Sequence, residues 1–203
     1  MIKLRRANPT DDLLSGLIQS ENQGQKLTEE EMLTTCVLLL VAGHETTVNL
    51  IANGVLALLR NPDQVGVANE GASASGWRNL VEEVLRFDPP VQLTSRVARE
   101  PMKVGGYDID KGQEMILLVG SANRDPEAFD QPDRFDVSRV KNPHVSFSNG
   151  IHFCLGAPLA RLEGRMVLQR LFERLPTMSL SDEALVYKPN IVLRGLTELQ
   201  VKF

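Results

Sequence analysis

Phe147-Ser148-Asn149-Gly150-Ile151-His152-Phe153-Cys154-Leu155-Gly156 decides how this chain is read. It sets Cys154 between Gly150 and Gly156, just before a stretch that reads as a helix. The flanking glycines remove side chains that would block the close approach of a flat molecule. The N–H groups opening the next helix predict partial positive charge near the sulfur, which favours a thiolate. Two readings compete. Free cysteines are often buried as small apolar residues. A cysteine in this setting also has the chemistry of an axial ligand to haem iron.

Other polar groups stand where burial would be costly. Ala42-Gly43-His44-Glu45-Thr46-Thr47 interrupts the most apolar helix of the chain. Polar groups inside such a helix need partners or work to do. A zinc site of the H-E-x-x-H kind fails, because Val48 stands where the second histidine is required. A kink, with threonines bonding back to carbonyls and Gly43 relieving crowding, is one reading; a catalytic groove is another, and the two are compatible. Asn49 lies four residues after Glu45, on the same helical face. Further on, Glu83-Val84-Leu85-Arg86 puts an acid and a base on one helix face, which alone signals little. Pro132-Asp133-Arg134-Phe135 and Arg96 within Thr94-Ser95-Arg96-Val97 complete the set.

These segments together resemble the cytochrome P-450 family. Phe147 to Gly156 is similar to its F-x-x-G-x-H-x-C-x-G haem signature, with Ser148 standing where many members carry a second glycine. The resemblance implies that Cys154 is the proximal ligand to haem b, that Phe147 packs beside the sulfur, and that His152 and Arg96 contact haem propionates. Gly156 belongs to the same ligand loop. The segment 42–47 resembles the A-G-x-[DE]-T-T motif, which implies that Glu45 and Thr46 manage protons during dioxygen activation and that Gly43 leaves room for dioxygen. Thr47 is then a helper or a packing residue. Glu83, Arg86 and Arg134 resemble the family's structural triad behind the haem.

The resemblance implies a monooxygenase acting on small apolar substrates, with electrons from NAD(P)H through a ferredoxin-like donor. A non-catalytic haem-binding protein or remnant is the alternative. The family's chains are roughly twice as long, so this chain is expected to resemble only the C-terminal half of a member. The helices that roof the substrate pocket would be absent. A long apolar helix that loses cover predicts self-association into a homo-oligomer.

Composition narrows the classes. The chain has 203 residues, 42% of them hydrophobic, and a formal net charge of −4. That charge gives no footprint for nucleic acid, and Lys3, Arg5 and Arg6 are too few to change this. Two cysteines, Cys36 and Cys154, imply no disulfide framework and a reducing compartment. The first residues carry no apolar leader. The longest apolar run, 36–42, is far short of the roughly 20 residues that span a bilayer. A cytoplasmic protein without a membrane segment is expected.

The predicted fold is α+β and mainly α, a single partial domain over 1–203. A short amphipathic helix is expected over 11–19, and a polar turn over 21–25. A capping box at Thr28 and Glu31 opens a long helix over about 28–60, apolar on most sides and therefore a core helix. Asn61-Pro62 stops it. A helix after Pro62 is followed by a soft loop at 71–76 and the E-x-x-R helix over about 77–87. Strands are expected near 93–97, 102–104 and 115–119, separated by Gly105-Gly106 and Lys111-Gly112 turns. An irregular coil spans 123–143, a helix 159–175, and two or three strands 185–203.

Overall fold

The structure is a computed structural model, and it describes residues 1–22, 25–70 and 75–203. These residues divide into two compact units, Met1–Glu45 and Thr46–Phe203.

The first unit opens with α1 (Ile2–Ala7), which the sequence pattern did not signal. Helix α2 (Leu13–Gln19) starts where Asp12 caps it, the carboxylate accepting the Ser15 N–H at 2.7 Å. That bond satisfies one of the N–H groups the first turn leaves open. Strands β1 (Glu21–Asn22) and β2 (Gln25–Lys26) pair antiparallel in place of a plain turn, while residues 23–24 lie outside the described residues. The long helix α3 (Glu29–Arg60) begins as its capping box predicts. Thr28 Oγ1 accepts from the Glu31 N–H at 3.2 Å, and Glu31 Oε2 accepts from the Thr28 N–H at 2.8 Å.

Only part of α3 is the core helix expected from its composition. From Asn49 to Leu58 it is buried or half-buried, whereas Leu33, Val37, Leu38, Leu40 and Val41 are exposed. By length and composition α3 is also able to cross a membrane: it has 32 residues, and an 18-residue window within it has a mean hydropathy of 1.4. Counting the continuous run 36–42 misses this, because the apolar content is spread over nine turns with polar residues between.

In the second unit, α4 (Asp63–Glu70) and α5 (Ser75–Phe87) meet closely. A Cβ on Gly76 would stand 2.1 Å from the Ala68 carbonyl oxygen, so only glycine permits this approach. Of the soft loop expected at 71–76, residues 71–74 lie outside the described residues, and Ser75 and Gly76 already belong to α5. Helix α5 is strongly amphipathic: Trp77, Leu80, Val81, Val84 and Leu85 are buried in the main core.

Strand β3 (Leu93–Val97) pairs antiparallel with β6 (Glu114–Leu118), and β4 (Met102–Val104) with β5 (Tyr107–Ile109). The Gly105-Gly106 turn between β4 and β5 has φ of 58° and 87°, values that favour glycine. Helix α6 (Val119–Ala122) is a single turn, and the segment from Asn123 to Asn149 is ordered coil. Helix α7 (Ala157–Arg174) packs on α5, with Gly164 against Leu50 and Val81. Near the end, only β8 (Val201–Lys202) pairs, with β7 (Ser179–Leu180); two isolated bridges, Val91 with Leu193 and Tyr187 with Leu196, stand where further strands were expected. Alternating polarity in this tail reflects single contacts with the core, not continuous ladders. The result is a mainly α, α+β chain with small two-stranded sheets.

Candidate functional site

The Cys154 loop is built from its own backbone. The Cys154 N–H donates to the Phe147 carbonyl at 2.9 Å, closing the loop on itself. Gly150 to His152 form one 3-10 turn, opened by Asn149, whose Oδ1 accepts the Gly150 N–H. Ser148 holds φ at 61° and Gly150 at 62°. For serine that conformation is strained, and it occurs where a glycine would be at ease. The strain has a visible compensation: Ser148 Oγ accepts from Arg96 Nη2 at 3.0 Å. Arg96 is also tied to the Ser95 carbonyl at 2.7 Å, so β3 holds its guanidinium beside the loop.

Cys154 itself is exposed. A Cβ on Gly156 would lie 3.9 Å from its Sγ, so the sulfur sits directly beside a residue without a side chain. The Ala157 N–H, opening α7, donates to the Cys154 carbonyl at 3.2 Å; this N–H is spent on the backbone rather than aimed at the sulfur as expected. In the segment flanking Cys154, the apolar residues Ile151, Phe153, Leu155 and Leu159 are all exposed, Ile151 at 97% and Leu155 at 88%. Exposed apolar side chains in the same segment as an exposed thiol suit a flat apolar ring, and Arg96, bonded to Ser148 of this loop, and the exposed His152 are of the types that bind carboxylates. The residues present therefore fit haem.

Behind the loop lies a buried ion pair. Glu83 and Arg86 both have side chains within 1% of full burial. Every donor of Arg86 is used. Nε and Nη2 meet Glu83 at 2.8 Å each, Nη1 meets the carbonyls of Asn123 and Pro132, and Nη2 also meets that of Arg134. Glu83 in turn accepts the Asp136 N–H at 2.8 Å and Asn142 Nδ2 at 3.1 Å. Arg134 thus joins through its carbonyl, while its own side chain is exposed. The second guanidinium beside Glu83 is that of Arg139, with Nε at 3.3 Å. Motif spacing pointed to Arg134 because it is adjacent in the pattern; the coil turns Arg139 inward instead.

Sequence reasoning missed several residues here. Asn123 is fully buried and ties three segments: Oδ1 accepts the Val145 N–H, and Nδ2 meets Ser146 Oγ and the Leu85 carbonyl. Glu82 pairs with Arg161 at 2.7 and 2.9 Å and with His144 at 3.0 Å. Burial pushes the Glu82 carboxyl up, but the bonds from His144 and Arg161 outweigh it and bring the pKa down to about 2. None of these three has a local signal, since each acquires its partner from a distant segment.

On α3, Glu45 closes the first unit and Thr46 opens the second; both are half-buried. Gly43 and His44 are exposed, and a Cβ on Gly43 would meet nothing within 4 Å. Asn49 is buried against Gly195, where a Cβ would collide with its amide.

A mainly helical scaffold that presents an exposed cysteine among exposed apolar residues of one loop defines a class of site, one suited to a flat cofactor held through a sulfur. The profile of the family "Cytochrome P450" matches residues 3–66 and 77–203. This chain belongs to the cytochrome P450 family. It is 45% identical over 203 residues to the biotin biosynthesis cytochrome P450 of Bacillus subtilis, covering 100% of this chain and 51% of that one. It is 42% identical to the 6-deoxyerythronolide B hydroxylase of Saccharopolyspora erythraea, covering all of this chain and 50% of that one. Among solved structures, P450BioI in complex with acyl carrier protein ligated to hexadec-9Z-enoic acid superposes with a TM-score of 0.92 at 44% identity; the match covers 100% of this chain and 51% of that one. The chain spans about half the length of the curated relatives it matches. Its fold is the C-terminal half of the cytochrome P450 fold.

Proposed function

We propose that this chain is the haem-binding half of a monooxygenase that hydroxylates small apolar organic molecules. The observation that carries the reading is the exposed Cys154 thiol beside Gly156, in a segment of exposed apolar residues. Bound haem would supply the iron on which dioxygen is activated, with thiolate ligation favouring O–O cleavage. Cys154 Sγ would hold the iron. Arg96, already oriented by Ser148 and Ser95, would take one propionate, and His152 another contact. Phe147 covers the back of the loop. Glu45 and Thr46 would hold and pass protons, and Gly43, having no side chain, would leave room for dioxygen. Electrons would come from NAD(P)H through a ferredoxin-like donor. The relatives' names range from biotin biosynthesis to vitamin D(3) hydroxylation, which supports the reaction class and not one substrate.

The apolar, exposed half of α3 favours a second reading, a haem-binding protein without turnover. In either reading this surface belongs against protein rather than lipid, because Gly43, His44, Glu45, Thr46 and Thr47 stand mid-helix. A cytoplasmic chain that self-associates through it follows, and a stable monomer by sedimentation at micromolar concentration would refute the self-association.

The deciding experiment is the difference spectrum of the reduced, haem-loaded chain with carbon monoxide. A long-wavelength Soret band that disappears in Cys154→Ala supports thiolate ligation; a short-wavelength band in the parent chain refutes it. Thr46→Ala should then keep the band while diverting reducing equivalents into peroxide. Unchanged coupling would remove Thr46 from the proton path.

A further inference from the structure

Glu82 precedes Glu83 on α5 but has a separate set of partners. Both of its oxygens accept from Arg161, at 2.7 and 2.9 Å, and Oε2 also meets His144 Nε2 at 3.0 Å. His144 has a side chain only 4% exposed, and its Nδ1 accepts the Ser146 N–H at 3.3 Å. That bond leaves the ring proton on Nε2, directed at Glu82. Arg161 comes from the start of α7. Its guanidinium lies 4.6 Å from the centre of the Phe147 ring, and the Phe147 carbonyl takes the Cys154 N–H. Glu82 holds the guanidinium more firmly protonated than usual, burial opposes this, and the nearby Cys154 sulfur adds attraction.

We propose that Arg161 is a positioning residue for Cys154. Glu82 and His144 fix the guanidinium, the guanidinium clamps Phe147, and the Phe147 carbonyl fixes the backbone of the ligand. The same positive charge stands near the sulfur and lowers the cost of adding an electron at the site. Arginine suits this because one planar group can bond a carboxylate with two parallel N–H groups while stacking on a ring. Lysine offers the charge without the fork. An ordinary half-exposed ion pair would do little, but here the carboxylate has a second, buried partner, His144, that sets its orientation. The charge effect rests on the haem-thiolate reading; the clamp on the loop does not.

Hydrogen exchange in the cofactor-free chain tests the clamp. Arg161→Met and Glu82→Gln should each speed exchange of the Cys154 amide about tenfold, consistent with losing a charged hydrogen bond and a cation–π contact. Arg161→Lys should fall between, and the amides of Leu80 and Val84 in α5 should not change. Unchanged Cys154 exchange in both variants, or equal acceleration throughout α5, overturns the proposal. In the haem-loaded chain, Arg161→Met should lower the iron midpoint potential while Arg161→Lys stays near the parent. Equal potentials in all three overturn the electrostatic part. A chain that takes up no haem but shows the accelerated Cys154 exchange would refute the monooxygenase reading and support the clamp.

Discussion

Removing the Glu83 carboxylate should be among the most damaging single changes in this chain. The side chain is 1% exposed, and Glu83→Ala strips acceptors from Arg86 Nε and Nη2, from the Asp136 N–H and from Asn142 Nδ2. Breaking one partner of a buried ion pair costs about 3–5 kcal/mol. Arg86 keeps three carbonyl acceptors, on Asn123, Pro132 and Arg134, which holds the loss to the middle of that range. The expected cost is therefore about 4 kcal/mol, a large share of the roughly 5–15 kcal/mol that keeps a domain folded. Trp77, the only tryptophan, is buried on the same helix and reports the transition by fluorescence. In equilibrium urea unfolding with a slope of about 2 kcal/mol per molar, the midpoint should fall by about 2 M. Glu83→Gln keeps the shape but turns an amide N–H toward donors, and should lose about half as much. A loss below about 1 kcal/mol for Glu83→Ala would refute the reasoning, because it would mean that desolvation of the pair cancels its attraction.

The position of the second guanidinium can be checked in the same assay. Arg139→Met should cost about 1–2 kcal/mol by removing a charge beside buried Glu83, whereas Arg134→Met, which keeps its carbonyl, should stay within about 0.5 kcal/mol of the parent. Opposite outcomes would restore Arg134 as the third member. At Ser148, alanine keeps the strained φ and loses the bond from Arg96, so Ser148→Ala should cost about 1 kcal/mol; glycine relieves about as much strain as it loses in bonding and should be nearly neutral. Equal thermal midpoints for the two variants would show that the strain is not real. Glu82 has a folded-state pKa of about 2 against an ordinary 4.5, so its contribution is complete above about 4.5 and is lost as the pH falls through 2. The stability gap between parent and Glu82→Gln, about 2 kcal/mol at neutral pH, should therefore close between those values in urea titrations; a gap that persists at pH 2 would contradict the pairing.

Local patterns were legible wherever the cause was local. The Thr28–Glu31 box, the stop at Asn61-Pro62, the strands at Leu93–Val97 and Met102–Val104 and the glycine turn between β4 and β5 depend on neighbouring residues, and the sequence alone predicts them. The same holds for the amphipathic α5, whose burial follows its helical period. The tail after 185 was read less well, because alternation cannot say whether a neighbouring strand exists to pair with. For helix α3 the composition predicts a core helix and the half-length chain predicts lost cover, but which part is exposed depends on what packs there, and it is the N-terminal half.

For the site, the sequence by itself determined the family and singled out the Cys154 loop as the candidate, since those rest on residue types at short spacing. Only the tertiary structure decided that Arg139 rather than Arg134 faces Glu83 with its charge, and that Asn123 knits the coil to α5. It alone joined Glu82, His144 and Arg161 behind Phe147. The reason is physical. A capping box or a turn is closed by bonds a few residues apart, whose geometry any chain of that sequence repeats. A buried charge is satisfied by whatever donors and acceptors the folded chain brings within about 3 Å of it, and these come from segments that no spacing along the sequence connects.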